Sequence, residues 1–181
     1  MTPINIFAQI INFIGSTIDM IGVNLKNKRI ILIFFIIGNS CIATALGILN
    51  AKAGMIVQVV FVIETIINYY WEQKYDKYPT WLIALYLIIP TTIIIITSKT
   101  YWNILPIIAG ISFPLAMLSK DFKLRFLNLI SVIAWIPYNF HFKAYTGTIC
   151  CIIFTISNIY AIIRLDVLKK NQVLESEISK N

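Results

Sequence analysis

A single histidine, His141, and three cysteines, Cys41, Cys150 and Cys151, make up the whole stock of imidazole and thiol in this sequence. The cysteines sit inside apolar segments, and none of the four residues falls at a metal-ligand spacing, which argues against a zinc site or a disulfide framework. No glycine-rich phosphate loop occurs, no Ser-His-carboxylate set can be assembled, and Cys150-Cys151 lacks a nearby basic partner. No catalytic residue, metal or cofactor is therefore expected, and the chain does not read as an enzyme. Charge is scarce too, at 13% of residues where soluble domains carry roughly 25%. A net charge of +7 suits nucleic acid only as a basic stripe on a folded surface. Here the basic residues stand in short runs between apolar segments, so no nucleic-acid partner is expected. The opening MTPINIFAQIINFIGSTIDM lacks the positive n-region and small-residue cleavage site of a secretory signal, and is expected to remain as a first helix.

Apolar side chains fill the space these absences leave: 59% of residues are hydrophobic and the mean hydropathy is +0.81, so the solvent of this chain is lipid. A bilayer core of about 30 Å needs about 20 apolar residues per helix, with roughly 17 tolerated. Seven segments meet that test, at 4–24, 30–49, 53–71, 80–97, 101–118, 124–140 and 145–165. Between them lie LKNKR, NAKAG, EQKYDKYP, SKT, SKDFK and HFKA, turns long enough for helical hairpins. The expected fold is all-α: a polytopic membrane protein of seven transmembrane helices.

Lys and Arg near helix ends are retained on the cytoplasmic side. One face collects Lys26, Lys28 and Arg29, then Lys74 and Lys77, then Lys120, Lys123 and Arg125, then Arg164, Lys169, Lys170 and Lys180; the other has Lys52, Lys99 and Lys143. The split is twelve to three and alternates at every loop. It predicts a multi-pass membrane protein with the N-terminus outside and the C-terminus cytoplasmic. Tyr69, Tyr70, Trp71, Tyr75, Tyr78 and Trp81 flank the third loop and Tyr101 and Trp102 open the fifth helix, where amphipathic rings sit at headgroups.

Residues 10–71 and 105–164 share an order of features: an apolar helix with a glycine (Gly15, Gly110), a basic turn (Lys28, Lys123), a second helix, then Ala-x-x-Gly (Ala51 to Gly54, Ala144 to Gly147) opening the third. Three helices per unit with one helix between give both units the same orientation, a parallel repeat about the membrane normal. The expected division is a first three-helix repeat at 1–71, a loop and linker helix at 72–100, a second repeat at 101–165 and a cytoplasmic polar tail at 166–181. This plan resembles the SWEET and PQ-loop transporter class, built as three helices, a linker and three helices. More closely, NLKNKRIILIFFIIGN, AKAGMIVQ and LNLISVIAWIPYNFHFKAYTGTICCIIFTISNIYAIIRLD resemble the YgjV family of small bacterial inner-membrane proteins, over nearly the whole chain. The resemblance implies a location in a bacterial inner (cell) membrane and a SWEET-like fold. PnuC-type vitamin transporters are similar as well, at a greater distance.

The helical period of 100° per residue aligns Asn5, Gln9, Asn12, Ser16 and Asp19 on the first helix, and Gln58, Phe61, Glu64, Thr65 and Asn68 on the third. It also aligns Asn128, Ser131, Trp135 and Asn139 on the sixth, and Thr148, Cys151, Thr155 and Asn158 on the seventh. The fourth helix carries almost nothing polar between Leu82 and Pro90, as suits a lipid-facing linker. The stripes have two explanations: a hydrated path for a small polar solute, or interhelical hydrogen bonds that hold the bundle together. Glu64 stands seven residues before Trp71, roughly 10 Å from that interface, where a carboxylate must be protonated, paired or wet. Asp19 lies close enough to Lys26 and Lys28 for a snorkelling ion pair.

The expected function is transport or facilitated passage of a small polar solute by alternating access of the two repeats. The candidate binding residues are Gln58, Glu64, Asn68, Trp135, Asn139 and Asn158, with Pro114 and Pro137 as hinges. The alternatives are a non-transporting inner-membrane protein that assembles with a partner or binds lipid, and a PnuC-like vitamin transporter that stacks its substrate on Trp135 or Tyr138. The partners expected are the lipid bilayer, a small polar solute and a second copy of the chain as a homo-oligomer.

Overall fold

A computed structural model of the protein describes residues 2–23, 28–72, 74, 79–97, 100–117 and 121–164. Among the described residues there are seven α-helices and a short 3-10 turn, with no strand. The helices are α1 (Pro3–Val23), α2 (Lys28–Ile48), α3 (Lys52–Glu72), α4 (Thr80–Thr97), α5 (Ile104–Met117), α6 (Asp121–His141) and α7 (Tyr145–Ile162), and the 3-10 turn Tyr101–Asn103 leads into α5. They match the seven apolar runs to within a few residues. The tail 166–181, with Lys26, Lys77, Lys99 and Lys120, lies outside the described residues.

Three helices are long and apolar enough to cross a membrane, over Pro3–Gly22, Arg29–Ile48 and Lys52–Trp71, and three shorter apolar helical stretches cover Trp81–Ile96, Tyr101–Ala116 and Tyr145–Tyr160. The outer surface is correspondingly inverted. Ile10 and Phe13 on α1, Ile88 and Ile96 on α4 and Ile153 and Ile156 on α7 are all exposed, an apolar coat that water would not tolerate and a bilayer solvates.

Two turns share an unusual construction. Asn50 (φ 60°) and Lys143 (φ 58°) both take the left-handed conformation. In the first, Asn50 N–H donates to the Gly47 carbonyl and Ala51 N–H to Leu46; in the second, Lys143 N–H donates to Phe140 and Ala144 N–H to Asn139. This pair of bonds closes a helix and satisfies its last carbonyls. Asn adopts the conformation readily, whereas Lys143 holds it at a cost of about 1–2 kcal/mol.

Each helix packs on its neighbour in the pairs α1–α2, α2–α3, α5–α6 and α6–α7, while α3 meets α5 and α1 meets α7. Followed through these contacts, six helices close a cycle, and α4 lies outside it against α3 and α5. Only one face of α4 is turned outward. Leu82, Tyr86, Pro90 and Ile94 are buried and Tyr86 donates to Asn68 of α3 at 3.0 Å, so the linker is half packed rather than wholly lipid-facing. Small residues permit the close crossings: Ala53, Ala109, Ala134 and Ala144 share the core with Leu46, Val57, Phe61, Trp135 and Tyr138. At the start of α5, Trp102 stacks on His141 with ring centroids 4.3 Å apart.

Candidate functional site

The helical period that striped the sequence decides what lies inside. On α1, Gln9, Asn12 and Ser16 are buried together, while Ile10, Phe13 and Ile14 point outward. Gln9 spans the chain: its Nε2 donates to the Lys143 carbonyl at 2.5 Å and its Oε1 accepts from Thr146 N–H at 3.0 Å. The Thr146 hydroxyl lies 2.8 Å from Gln9 Oε1 and 3.0 Å from the Gln9 backbone carbonyl. The N–H groups of a helix's first turn have no intrahelical partner, so α1 supplies the cap that α7 does not make for itself. Beside this clamp an open groove of about 290 Å³ is lined by Ile6, Gln9, Ile10, Phe13 and Thr146.

Deeper along α1, Ser16 Oγ donates to Asn12 Oδ1 at 3.3 Å, and Asn12 Nδ2 has no partner. Across from it on α6, Asn139 Nδ2 approaches Cys151 Sγ at 3.7 Å, and Asn139 Oδ1 has no partner. The two amides converge on Gly147 of α7: a Cβ there would stand 3.1 Å from the Nδ2 of each. The matching glycine of α3 is filled differently. Tyr138 accepts the Gly54 N–H at 2.7 Å, and a Cβ at Gly54 would meet the Tyr138 ring at 2.5 Å.

On α3, Gln58 follows Gly54 by one turn and is buried with Oε1 unpaired. Phe61 comes next, its ring 4.7 Å from Phe113 of α5, with Phe35 of α2 edge-on to Phe113 at 6.4 Å. Glu64 follows by less than a turn, 5% exposed with Oε1 unpaired. Along α3, a cluster of aromatic rings thus stands between the unpaired amide of Gln58 and the carboxyl of Glu64.

The other expected site residues are engaged with their neighbours. Asn68 accepts from Tyr86. Asn158 accepts from Asn128 Nδ2 at 3.3 Å and donates to the Phe154 carbonyl at 3.1 Å, tying α6 to α7. Trp135 belongs to the apolar core, edge-on to Tyr138 with centroids 5.6 Å apart. Pro114 is buried within α5 and Pro137 exposed on α6, and both helices run through them. Asp19 is half-buried against Gly38 of α2, where an added Cβ would collide with its carboxylate, and its Oδ1 has no partner. The expected ion pair with Lys26 or Lys28 falls on side chains outside the described residues.

Sequence reasoning missed the roles of Asn12, Gln9 and the two glycines. The Ala-x-x-Gly signal was visible, but it marked a repeat and not the places where a neighbouring side chain replaces a missing Cβ.

The sequence model of the Imp-YgjV family, described as a bacterial inner membrane protein, matches residues 6–169. No curated protein and no solved structure matches the chain.

Proposed function

Because the chain belongs to the Imp-YgjV family of bacterial inner membrane proteins, we propose that it is a transporter or facilitator of a small polar solute, with seven crossings arranged as two parallel three-helix repeats and a linker. The repeat is supported by the two left-handed turns and the glycines that follow them, Asn50 with Gly54 and Lys143 with Gly147, which stand at one constant offset. It is supported again by the contacts between the halves. The third helix of each half meets the first helix of the other, α3 with α5 and α7 with α1, as a two-fold axis along the membrane normal requires. The basic loops orient this arrangement with the N-terminus outside and the C-terminus in the cytoplasm.

The observation that carries transport is the set of buried polar atoms left without a protein partner: Asn12 Nδ2, Asp19 Oδ1, Gln58 Oε1, Glu64 Oε1 and Asn139 Oδ1, drawn from both halves. Side chains serving only to hold helices together would be paired, since each unsatisfied buried group costs about 1–3 kcal/mol. Asn68, Asn128 and Asn158 show such pairing, and their role is to position helices. In this arrangement the Phe61–Phe113 contact is the closed barrier. Relative rocking of the halves about Pro114 and Pro137 opens it, with Glu64 beyond the barrier as the group that couples passage to a proton.

Purified protein in liposomes tests this by solute influx followed as light scattering. Passage of uncharged polar solutes above protein-free vesicles is expected. Glu64→Gln is expected to lower proton-driven uptake about tenfold, a loss of about 1.4 kcal/mol in the transition state. Unchanged proton-driven uptake in that variant removes Glu64 from the mechanism, and no influx at all leaves a non-transporting membrane protein, the reading that the Asn68–Tyr86 and Asn128–Asn158 bonds by themselves favour.

A further inference from the structure

The chain covers one seam between its halves and leaves the matching seam open. Where α3 meets α5, α4 lies against both and buries Leu82, Tyr86 and Ile94. The halves meet again at α1 and α7, and among the described residues no helix lies across that seam as α4 lies across the first. The open groove is found there, with Ile6, Ile10 and Phe13 along one stripe of α1 and Gln9 and Thr146 beside them. Gln9 and Thr146 turn their polar atoms on each other, so the groove presents mainly hydrocarbon.

Its width selects what fills it. Ile6 and Phe13 are seven residues apart, about 10 Å along the helix. A volume of about 290 Å³ over that length gives a cross-section of roughly 30 Å², well under the roughly 80 Å² of a helix 10 Å across. A single hydrocarbon chain lying along α1 fits, and a further helix does not enter. In the proposed orientation the groove starts near the outer end of α1 and stays within the outer leaflet, about half of a hydrocarbon core of about 30 Å.

Charge selects which lipid. Gln9 holds the Lys143 carbonyl, which puts this exposed lysine at the outer end of the groove, in a left-handed conformation at φ 58°. The corresponding turn before α3, the helix that α4 covers, carries neutral Asn50, which takes that conformation more easily. In the same orientation the outer turns carry Lys52, Lys99 and Lys143 and no aspartate or glutamate. All eight acidic residues lie in the inner loops, in the tail or in the inner halves of α1 and α3. Lys143 therefore meets no carboxylate of its own chain at that surface, and a lipid phosphate supplies the missing negative charge. A second copy docked on this seam by two-fold symmetry would bring its own Lys143 to the same face and add like charge instead.

We propose that the α1–α7 groove binds one anionic phospholipid of the outer leaflet, with an acyl chain along Ile6, Ile10 and Phe13 and the phosphate at Lys143. The lipid takes the place at this seam that α4 takes at the other. The site rests on the proposed orientation for its leaflet and is independent of transport.

Native mass spectrometry of the full chain, released from a mild detergent, tests this with phosphatidylglycerol and phosphatidylcholine of identical acyl chains titrated separately. One saturable phosphatidylglycerol per chain is expected, bound about fivefold more tightly than phosphatidylcholine, the effect of one lysine on one anionic charge. Lys143→Gln is expected to bring the two lipids to equal affinity, while Lys52→Gln keeps the preference. Ile10→Trp, which fills the groove from a lipid-facing position, is expected to weaken both lipids about tenfold; Ile6→Trp serves if that variant does not fold. The proposal is overturned if phosphatidylglycerol binds without saturation or no better than phosphatidylcholine, if Lys143→Gln keeps the preference, or if the folded groove variants bind like the parent. A dimer that either tryptophan variant dissociates also overturns it, since a second copy then holds the seam. Impermeant labelling of Lys143→Cys separates orientation from site: reaction only after permeabilisation overturns the placement in the outer leaflet, and loss of the lipid preference overturns the site.

Discussion

Glycines at three crossings make different demands on their neighbours, and substitution separates them. A Cβ at Gly38 would stand 2.9 Å from the Gly15 carbonyl and collide with the Asp19 carboxylate, so α1 and α2 must move apart to admit it. Gly38→Ala is expected to destabilise the protein by about 1–3 kcal/mol, seen as a lower unfolding temperature in detergent. A Cβ at Gly110 meets nothing closer than Val57 at 3.7 Å, an ordinary contact, and Gly110→Ala is expected to stay within about 0.5 kcal/mol of the parent. Tyr138 provides a third case at Gly54. Its hydroxyl satisfies an N–H that the start of α3 leaves open, and Tyr138→Phe keeps the ring while orphaning that donor, an expected loss of about 1–3 kcal/mol in the same measurement.

Whole helices are joined by a small number of polar contacts between long apolar surfaces. Within the membrane the hydrophobic effect does not distinguish a helix neighbour from lipid, so packing and hydrogen bonds choose partners. The α1–α7 seam illustrates this, because Gln9 alone binds the Lys143 carbonyl and both the N–H and the hydroxyl of Thr146. Gln9→Leu preserves size and removes these bonds. Faster hydrogen exchange at the Thr146 amide is expected, by about tenfold or more for a loss of about 1.4 kcal/mol, with amides in the middle of α3 unchanged. Equal exchange in both proteins would show that α7 caps itself.

For the molecule as a whole, the decisive property is its placement across the bilayer. A chain with twelve basic residues on one set of loops and three on the other is expected to expose position 143 outside and position 123 inside. With the three native cysteines replaced, Lys143→Cys in intact cells is expected to react with a membrane-impermeant maleimide and Lys123→Cys only after permeabilisation. The reverse pattern would invert the proposed orientation. The same experiment bears on the number of crossings, since position 123 is in the first turn of α6 and position 143 just past its end, and α6 must span the membrane for them to differ.

The sequence by itself determined the helices, because their length and apolar content are set by the thickness of hydrocarbon and every backbone group in lipid must be bonded within its own segment. It also determined which residues turn inward. A helix has one period, so the stripes of Gln9, Asn12 and Ser16 and of Gln58, Phe61 and Glu64 could be drawn before any neighbour was known, and all six are buried. Which helices meet was decided only in three dimensions. A stripe marks the face that turns inward but not the neighbour it meets, so periodicity could not foretell that Asn68 binds Tyr86, that Asn158 pairs with Asn128, or that Trp135 sits in the apolar core. The meeting of Asn12 and Asn139 at Gly147 belongs to the same class. It depends on the distance between helix axes, which is set by side chains far apart in the chain that come into contact only when the bundle closes.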